Sequence, residues 1–129
     1  MAAINPVRVL LADDQMKVRS ALRLLIEQEL AFNVVGEAGA ADELLRGILK
    51  AYPQVVLLDW ELPGLPDQHK LDSMHLIDPH LKVIALSGQP EARKQALAEG
   101  VDIFVSKSDP ADGVLKALYF IHDKVQHSV

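Results

Sequence analysis

Four short apolar runs, each broken off by a polar residue suited to phosphoryl chemistry, constrain this chain more than any other feature. Val9-Leu10-Leu11-Ala12 runs into Asp13-Asp14, Val55-Val56-Leu57-Leu58 into Asp59, Val83-Ile84-Ala85-Leu86 into Ser87, and Ile103-Phe104-Val105-Ser106 into Lys107. Short, continuous apolar runs of this kind mark strands buried on both faces, as in a parallel sheet. Parallel strands point one way, so the residues that end them share one edge. Open α/β sheets bind their ligands at that carboxyl edge.

The segments between the runs follow a helical period. Val18, Ala21, Leu22, Leu25 and Ile26 form one such set. Phe32 to Ala38 reads as a further strand ending near Gly36 and Gly39. A second helix carries Ala41, Leu44, Leu45, Ile48 and Leu49 on one face, and Tyr52-Pro53 stops it. Leu62-Pro63-Gly64-Leu65-Pro66 makes a stiff loop, and Asp67 to Asp78 is expected to hold a third helix on a thin apolar set, Leu71, Met74 and Ile77. Pro90 opens a short Ala-rich helix that Gly100 terminates. Asp109 reads as an N-cap, with Pro110 at the first helical position and Asp112 in the first turn of a last helix carrying Val114, Leu118, Ile121 and Val125. Strict alternation of strand and helix predicts an α/β fold, a parallel sheet with helices on both faces, in a single domain spanning 1–129.

Composition narrows the function. Half of the 129 residues are hydrophobic, which supplies a packed core. The formal net charge is -5 and the Lys and Arg residues are dispersed, so the basic stripe that a nucleic-acid binder needs is missing, and no nucleic acid is expected to bind this domain alone. No apolar run approaches the roughly 20 residues of a membrane span, so no membrane association is expected. Met1 to Pro6 lacks the basic and apolar regions of a signal peptide. The absence of cysteine is compatible with a reducing, cytoplasmic location, which is the expected one.

At the shared edge, charge dictates chemistry. Two carboxylates about 4 Å apart repel by roughly 4 kcal/mol at an effective dielectric of about 20, so gathering Asp13, Asp14 and Asp59 calls for a cation. Mg²⁺ suits a hard, all-oxygen donor set and bridges carboxylates to phosphate. Lys107 supplies a second, fixed positive charge. Aspartate is a nucleophile toward phosphorus, and Asp59, ending the most uniformly apolar run, is the expected attacking residue. Asp13 and Asp14 suit the metal, and Ser87 can hydrogen-bond a phosphoryl oxygen.

Taken together, Asp13-Asp14, Asp59 followed by Leu62-Pro63-Gly64, Ala85-Leu86-Ser87-Gly88 and Phe104-Val105-Ser106-Lys107 resemble the receiver domains of two-component response regulators. The resemblance covers almost the whole chain. It implies a flavodoxin-like (βα)5 fold, a doubly wound five-stranded sheet of strand order 2-1-3-4-5. It implies that Asp59 is the phosphoacceptor, that Asp14 binds Mg²⁺ directly and Asp13 largely through water, and that the backbone carbonyl of Glu61 completes the protein ligands. Ser87 and Lys107 are then the contacts to the phosphoryl oxygens. Phe104 matches an aromatic switch position whose ring turns inward on phosphorylation. The implied partner is a sensor histidine kinase or phosphotransfer protein, with a homodimer on phosphorylation as a further expectation. Val34-Val35-Gly36-Glu37-Ala38 and Ser106-Lys107-Ser108 resemble receivers that precede a LuxR-type output domain, and no such domain is read in these 129 residues. The implied role is a switch with slow self-dephosphorylation rather than a turnover enzyme, controlling an output such as transcription.

Two departures stand out. Pro66-Asp67-Gln68-His69 lacks the Asp-Gly pair often found before the third helix, and Ser108 stands where many receivers carry proline. Three other functions compete with a phosphorylated switch. A Mg²⁺-dependent phosphatase of the haloacid-dehalogenase type needs an aspartate two residues after the nucleophile, where this chain has Glu61. A flavodoxin-like flavin binder needs a hydroxyl- and amide-rich loop after the first strand, where Asp13-Asp14 repels phosphate. A stand-alone receiver acting by protein binding stays open. His69, His75 and His80 lack the helical spacing of a zinc pair. Trp60 is expected to be a partly exposed loop residue. Leu115, Tyr119 and Phe120, off the main stripe of the last helix, are expected to extend the core, with a partner face as the alternative.

Overall fold

The computed structural model describes residues 5–126. Met1–Ile4, part of the stretch inspected for a leader, lies outside the described residues. Ten elements alternate: β1 (Val7–Ala12), α1 (Met16–Glu27), β2 (Phe32–Ala38), α2 (Ala41–Ala51), β3 (Val55–Asp59), α3 (Asp72–Ile77), β4 (Lys82–Ser87), α4 (Ala92–Glu99), β5 (Ile103–Ser106) and α5 (Asp112–Gln126). The five strands form one parallel sheet in the order β2-β1-β3-β4-β5. The flavodoxin-like, doubly wound arrangement is as expected.

Neighbouring residues of a strand point to opposite faces, and the chain uses both. Leu10, Val56, Leu58 and Val83 pack against Leu44 and Ile48 of α2, Met74 of α3 and Ala96 of α4. Val9, Leu11, Leu57 and Ile84 pack against Ile26 of α1 and Leu118 and Ile121 of α5. All five residues of β3 are buried, because this strand lies mid-sheet with helices on either side. Full burial of one Leu side chain here stabilises the fold by about 1.5–3 kcal/mol. Strand order reverses between β1 and β3, which opens a crevice at their carboxyl ends.

Several local expectations are corrected. The third helix covers only Asp72–Ile77, not Asp67 to Asp78. The preceding loop is held in another way: Lys70 N donates to Glu99 Oε1 at 2.8 Å, Gln95 Nε2 donates to the Asp67 carbonyl at 2.9 Å, and His69 takes a φ of 59°. These bonds strap the loop to α4. The last helix begins at Asp112 rather than at Pro110. Tight turns lead into it, with Gly113 N on the Pro110 carbonyl at 2.9 Å and Val114 N on the Ala111 carbonyl at 3.2 Å. Leu49 is exposed on α2, although it lies near the apolar face. Tyr119 is half exposed but packs edge-on against Phe32, whereas Phe120 faces solvent at 51 % exposure beneath the Lys124 ammonium. Phe120 therefore adds nothing to the core.

Gly100 ends α4 as expected, at φ 105°, a left-handed conformation that glycine adopts without strain. Gly64, at φ 90°, lets the loop after β3 approach α2, where the Pro63 carbonyl accepts from Ala41 N at 2.9 Å. That contact seats the loop beside the site.

Candidate phosphoryl-accepting site

The crevice gathers the predicted acids. Asp13 N donates to the Ala38 carbonyl at 2.9 Å, so strand pairing extends one residue past β1 and carries the Asp13 side chain into the crevice. Its Oδ1 accepts from Gln15 N at 2.9 Å, an Asx-type turn leading into α1. Asp59 ends β3 and its Oδ1 accepts from Glu61 N at 3.0 Å. Both carboxylates are buried, at 1 % and 3 % exposure, whereas Asp14 is exposed. One oxygen from each of Asp13, Asp14 and Asp59 lies within 4.8 Å of the others.

Lys107 arrives by the same device as Asp13. Its N–H donates to the Ser87 carbonyl at 2.8 Å, extending the β4–β5 pairing beyond Ser106. Its ammonium donates to Asp13 Oδ2 at 2.9 Å and lies 3.5 Å from Asp59 Oδ1. Burial pulls the Lys107 pKa down, but the Asp13 hydrogen bond and the two carboxylate charges override it, leaving it above its ordinary value. For Asp59, burial dominates and raises the carboxyl above its ordinary value. The Glu61 N–H and Lys107 only partly oppose that rise, and the Asp13 charge adds to it. The hollow therefore holds more negative charge than its single lysine offsets.

Ser87 is fully buried at the end of β4. Its Oγ donates to the Glu61 carboxylate, 2.9 Å from Oε1 and 3.0 Å from Oε2, and accepts from Gln89 N at 3.0 Å. Sequence reasoning assigned Glu61 through its carbonyl and missed this side-chain contact. A glutamate two residues past Asp59 was the available signal. Also missed was Arg19, whose Nη1 donates to the Asp13 carbonyl at 2.6 Å. Its partners are the carbonyl of Asp13, six residues earlier and just past β1, and Glu37 on β2, and neither pairing leaves a periodic signal in the sequence.

Phe104 is buried in the layer under α4, and the Arg93 guanidinium lies 5.9 Å from its ring centre. Trp60 corrects an expectation. At 2 % exposure it is a core residue among Leu62, Leu71 and Met74, because its N–H donates to the Leu86 carbonyl at 2.8 Å and continues the sheet. The Trp60 indole Nε1 is buried with no hydrogen-bond partner among the described residues, and the Lys70 ammonium lies 5.4 Å from the ring centre. Of His69, His75 and His80, His75 has its Nε2 bonded to the Leu81 carbonyl at 3.0 Å, and none of the three joins the acidic cluster.

The family model of the response regulator receiver domain matches residues 9–119, which include every residue of this cluster. The chain belongs to that receiver family. This receiver is 28 % identical over 121 residues to the nitrate/nitrite response regulator NarL of Escherichia coli, covering 92 % of this chain and 56 % of that protein. Among solved structures, a LuxR-family two-component response regulator from an Aurantimonas species aligns with a TM-score of 0.84 at 25 % identity, covering 93 % of this chain and 87 % of that one. The isolated receiver of RcsB from Salmonella enterica serovar Typhimurium, solved in the presence of the phosphomimetic BeF3⁻, aligns at 0.83 and 27 % identity, covering 92 % and 90 %. The receiver spans about half the length of the curated relatives it matches, 56 % of NarL and 53 % of the Bordetella pertussis regulator BvgA. Among the described residues no helix is long and apolar enough to cross a membrane.

Proposed function

We propose that this receiver accepts a phosphoryl group on Asp59 from a phosphohistidine of a sensor kinase or phosphotransfer protein. The observation that carries the reading is the Lys107 ammonium, held 2.9 Å from Asp13 and 3.5 Å from Asp59 beside three converging carboxylates. Glu61 N and Lys107 both engage Oδ1 of Asp59, which leaves Oδ2 to attack phosphorus. The new O–P bond forms as the P–N bond breaks, and the electron pair leaves with the imidazole nitrogen of the donor. Lys107 stays within reach of the charge that the transferring group brings, with Asp13 anchoring it. Ser87 serves a phosphoryl oxygen once its hydroxyl turns from Glu61.

The donor set fits Mg²⁺, being all oxygen and more anionic than Lys107 neutralises. Asp13, Asp14 and Asp59 would hold the ion, with the Glu61 carbonyl as a fourth protein ligand. When bound, Mg²⁺ supplies charge neutralisation for carboxylates and phosphate in one place. Slow hydrolysis of the acyl phosphate resets the domain, which acts as a switch rather than a turnover enzyme. The added charge biases the packing of β4, β5 and the helices after them, with Phe104 as the internal reporter. Resemblance to NarL and to LuxR-family regulators supports transcriptional control in the cytoplasm, through a DNA-binding domain in the same or another chain and with pairing of two copies on phosphorylation.

Incubation with Mg²⁺ and acetyl phosphate, read by intact-mass spectrometry, tests the reading. One phosphoryl group per chain is expected, not acquired when a chelator is present from the start and absent in Asp59→Asn. Continuous multiple-turnover release of phosphate from monoesters, without a trapped phosphoprotein, would replace the switch by a hydrolase.

A further inference from the structure

Arg19 touches none of the reacting groups, yet it holds the peptide that carries the acidic pair. Its Nη1 donates to the Asp13 carbonyl at 2.6 Å and its Nε to Glu37 Oε1 at 2.9 Å. Glu37 is fixed through its other oxygen by Arg23 Nε at 2.8 Å, and Arg23 Nη1 reaches Glu27 at 2.8 Å. Burial acts to raise the Glu37 carboxyl, but the hydrogen bonds from Arg23 and Arg19 outweigh it and hold the group below its ordinary value. At neutral pH Arg19 is therefore tethered to a charged partner on β2, outside the acidic hollow.

Every polar atom of Asp13 is engaged. Its N–H bonds Ala38, its carbonyl accepts from Arg19, Oδ1 accepts from Gln15 N and Oδ2 from Lys107. The carbonyl bears on Asp14, because the C=O of Asp13 and the N of Asp14 share one rigid peptide plane. Fixing that oxygen fixes the direction in which the chain enters Asp14, the one exposed member of the converging trio.

We infer that Arg19 is a positioning residue for the divalent-cation site, aiming the Asp13–Asp14 peptide so that the Asp14 carboxylate converges with those of Asp13 and Asp59. The inference rests on the cation-binding reading above. Charge alone predicts the opposite effect: removing a guanidinium near three carboxylates makes the hollow more negative and tightens cation binding. Positioning predicts weaker binding. It also predicts dependence on the ion, since Mg²⁺ demands near-ideal octahedral geometry whereas Ca²⁺ accepts irregular shells.

Calorimetric titration with Mg²⁺, and separately with Ca²⁺, of the wild type, Arg19→Ala, Arg19→Lys and Asp14→Asn tests this. Arg19→Ala is expected to bind Mg²⁺ about tenfold more weakly and to lose no more than about threefold for Ca²⁺. Arg19→Lys keeps the charge but not the two-pronged donor, so it falls between for Mg²⁺ and matches the wild type for Ca²⁺. If Arg19→Ala does not fold, the Mg²⁺-to-Ca²⁺ ratio of Arg19→Lys decides. Mg²⁺ affinity that is unchanged or tighter, or losses equal for both ions, overturns the inference while leaving the site intact. A wild type that takes no Mg²⁺, or an Asp14→Asn that binds as well as the wild type, defeats the site itself and this inference with it.

Discussion

The Ser87 hydroxyl donates to the Glu61 carboxylate at 2.9 Å, while Glu61 N holds Asp59 Oδ1 at 3.0 Å. One residue thus spans Asp59 and the hydroxyl proposed to serve a phosphoryl oxygen. To serve phosphate, Ser87 must leave a charged acceptor, and the incoming group brings like charge toward Glu61. A hydrogen bond to a charged group is worth about 1.5–3 kcal/mol net. Glu61→Ala is therefore expected to bind beryllofluoride with Mg²⁺ about tenfold more tightly than the wild type. Titration followed by Trp60 fluorescence measures it, and an unchanged midpoint would show that the contact does not oppose the switch.

Lys107 neutralises two buried acids from a position that is 29 % exposed, so solvent screens part of its effect. Lys107→Met leaves Asp13 Oδ2 and Asp59 without that cation. The expected loss of stability is about 1–3 kcal/mol at neutral pH, together with loss of phosphoryl labelling. Because the acids then depend on the added ion, Mg²⁺ should raise the melting temperature of Lys107→Met more than that of the wild type. Equal increments in thermal melts with and without Mg²⁺ would contradict this assignment.

The raised Asp59 carboxyl gives a pH dependence with a definite sign. Between the unfolded value, about 3.9, and the higher folded value, the native state binds more protons than the unfolded chain. Stability from this group therefore falls as pH rises through that window and stays lowered above it. Asp59→Asn removes the cost, so without metal it should be more stable than the wild type at pH 7, and the difference should vanish once pH falls below the unfolded value. Urea denaturation at several pH values measures this. A difference that grows on acidification would reverse the sign and refute the electrostatic account.

The loop after β3 owes its seat to Gly64, where an added Cβ meets the Ala41 Cβ at 3.1 Å and φ is 90°. Gly64→Ala should cost about 1–2 kcal/mol from backbone conformation alone. Gly88→Ala is the control, since a Cβ there meets nothing within 4 Å. Chemical denaturation of both variants separates local strain from a general intolerance of substitution.

The strands were legible because burial on both faces writes a continuous apolar run, and the four runs lie within β1, β3, β4 and β5. Asp13, Asp14, Asp59 and Lys107 were legible because parallel strands bring their ends to one edge. Trp60 was not, since a residue that follows a strand end reads as loop until the Leu86 carbonyl extends the sheet through it. The missing Asp-Gly pair pointed to a shortened region before α3, but not to the bonds that strap its loop to Gln95 and Glu99, from a helix more than twenty residues later. The Glu61–Ser87 bond likewise joins side chains 26 residues apart, and the Arg19–Asp13 bond runs to a backbone carbonyl six residues earlier, a spacing that marks no periodic contact.

Asp59, and no other carboxylate of the hollow, is expected to carry the phosphoryl group. After incubation with Mg²⁺ and a small phosphodonor, borohydride reduction converts an aspartyl phosphate to homoserine, which peptide sequencing by mass spectrometry locates. Homoserine at position 59 alone, dependent on Mg²⁺, is the predicted result. Conversion at position 13 or 14, or none at 59 in a protein that binds Mg²⁺, would contradict the account.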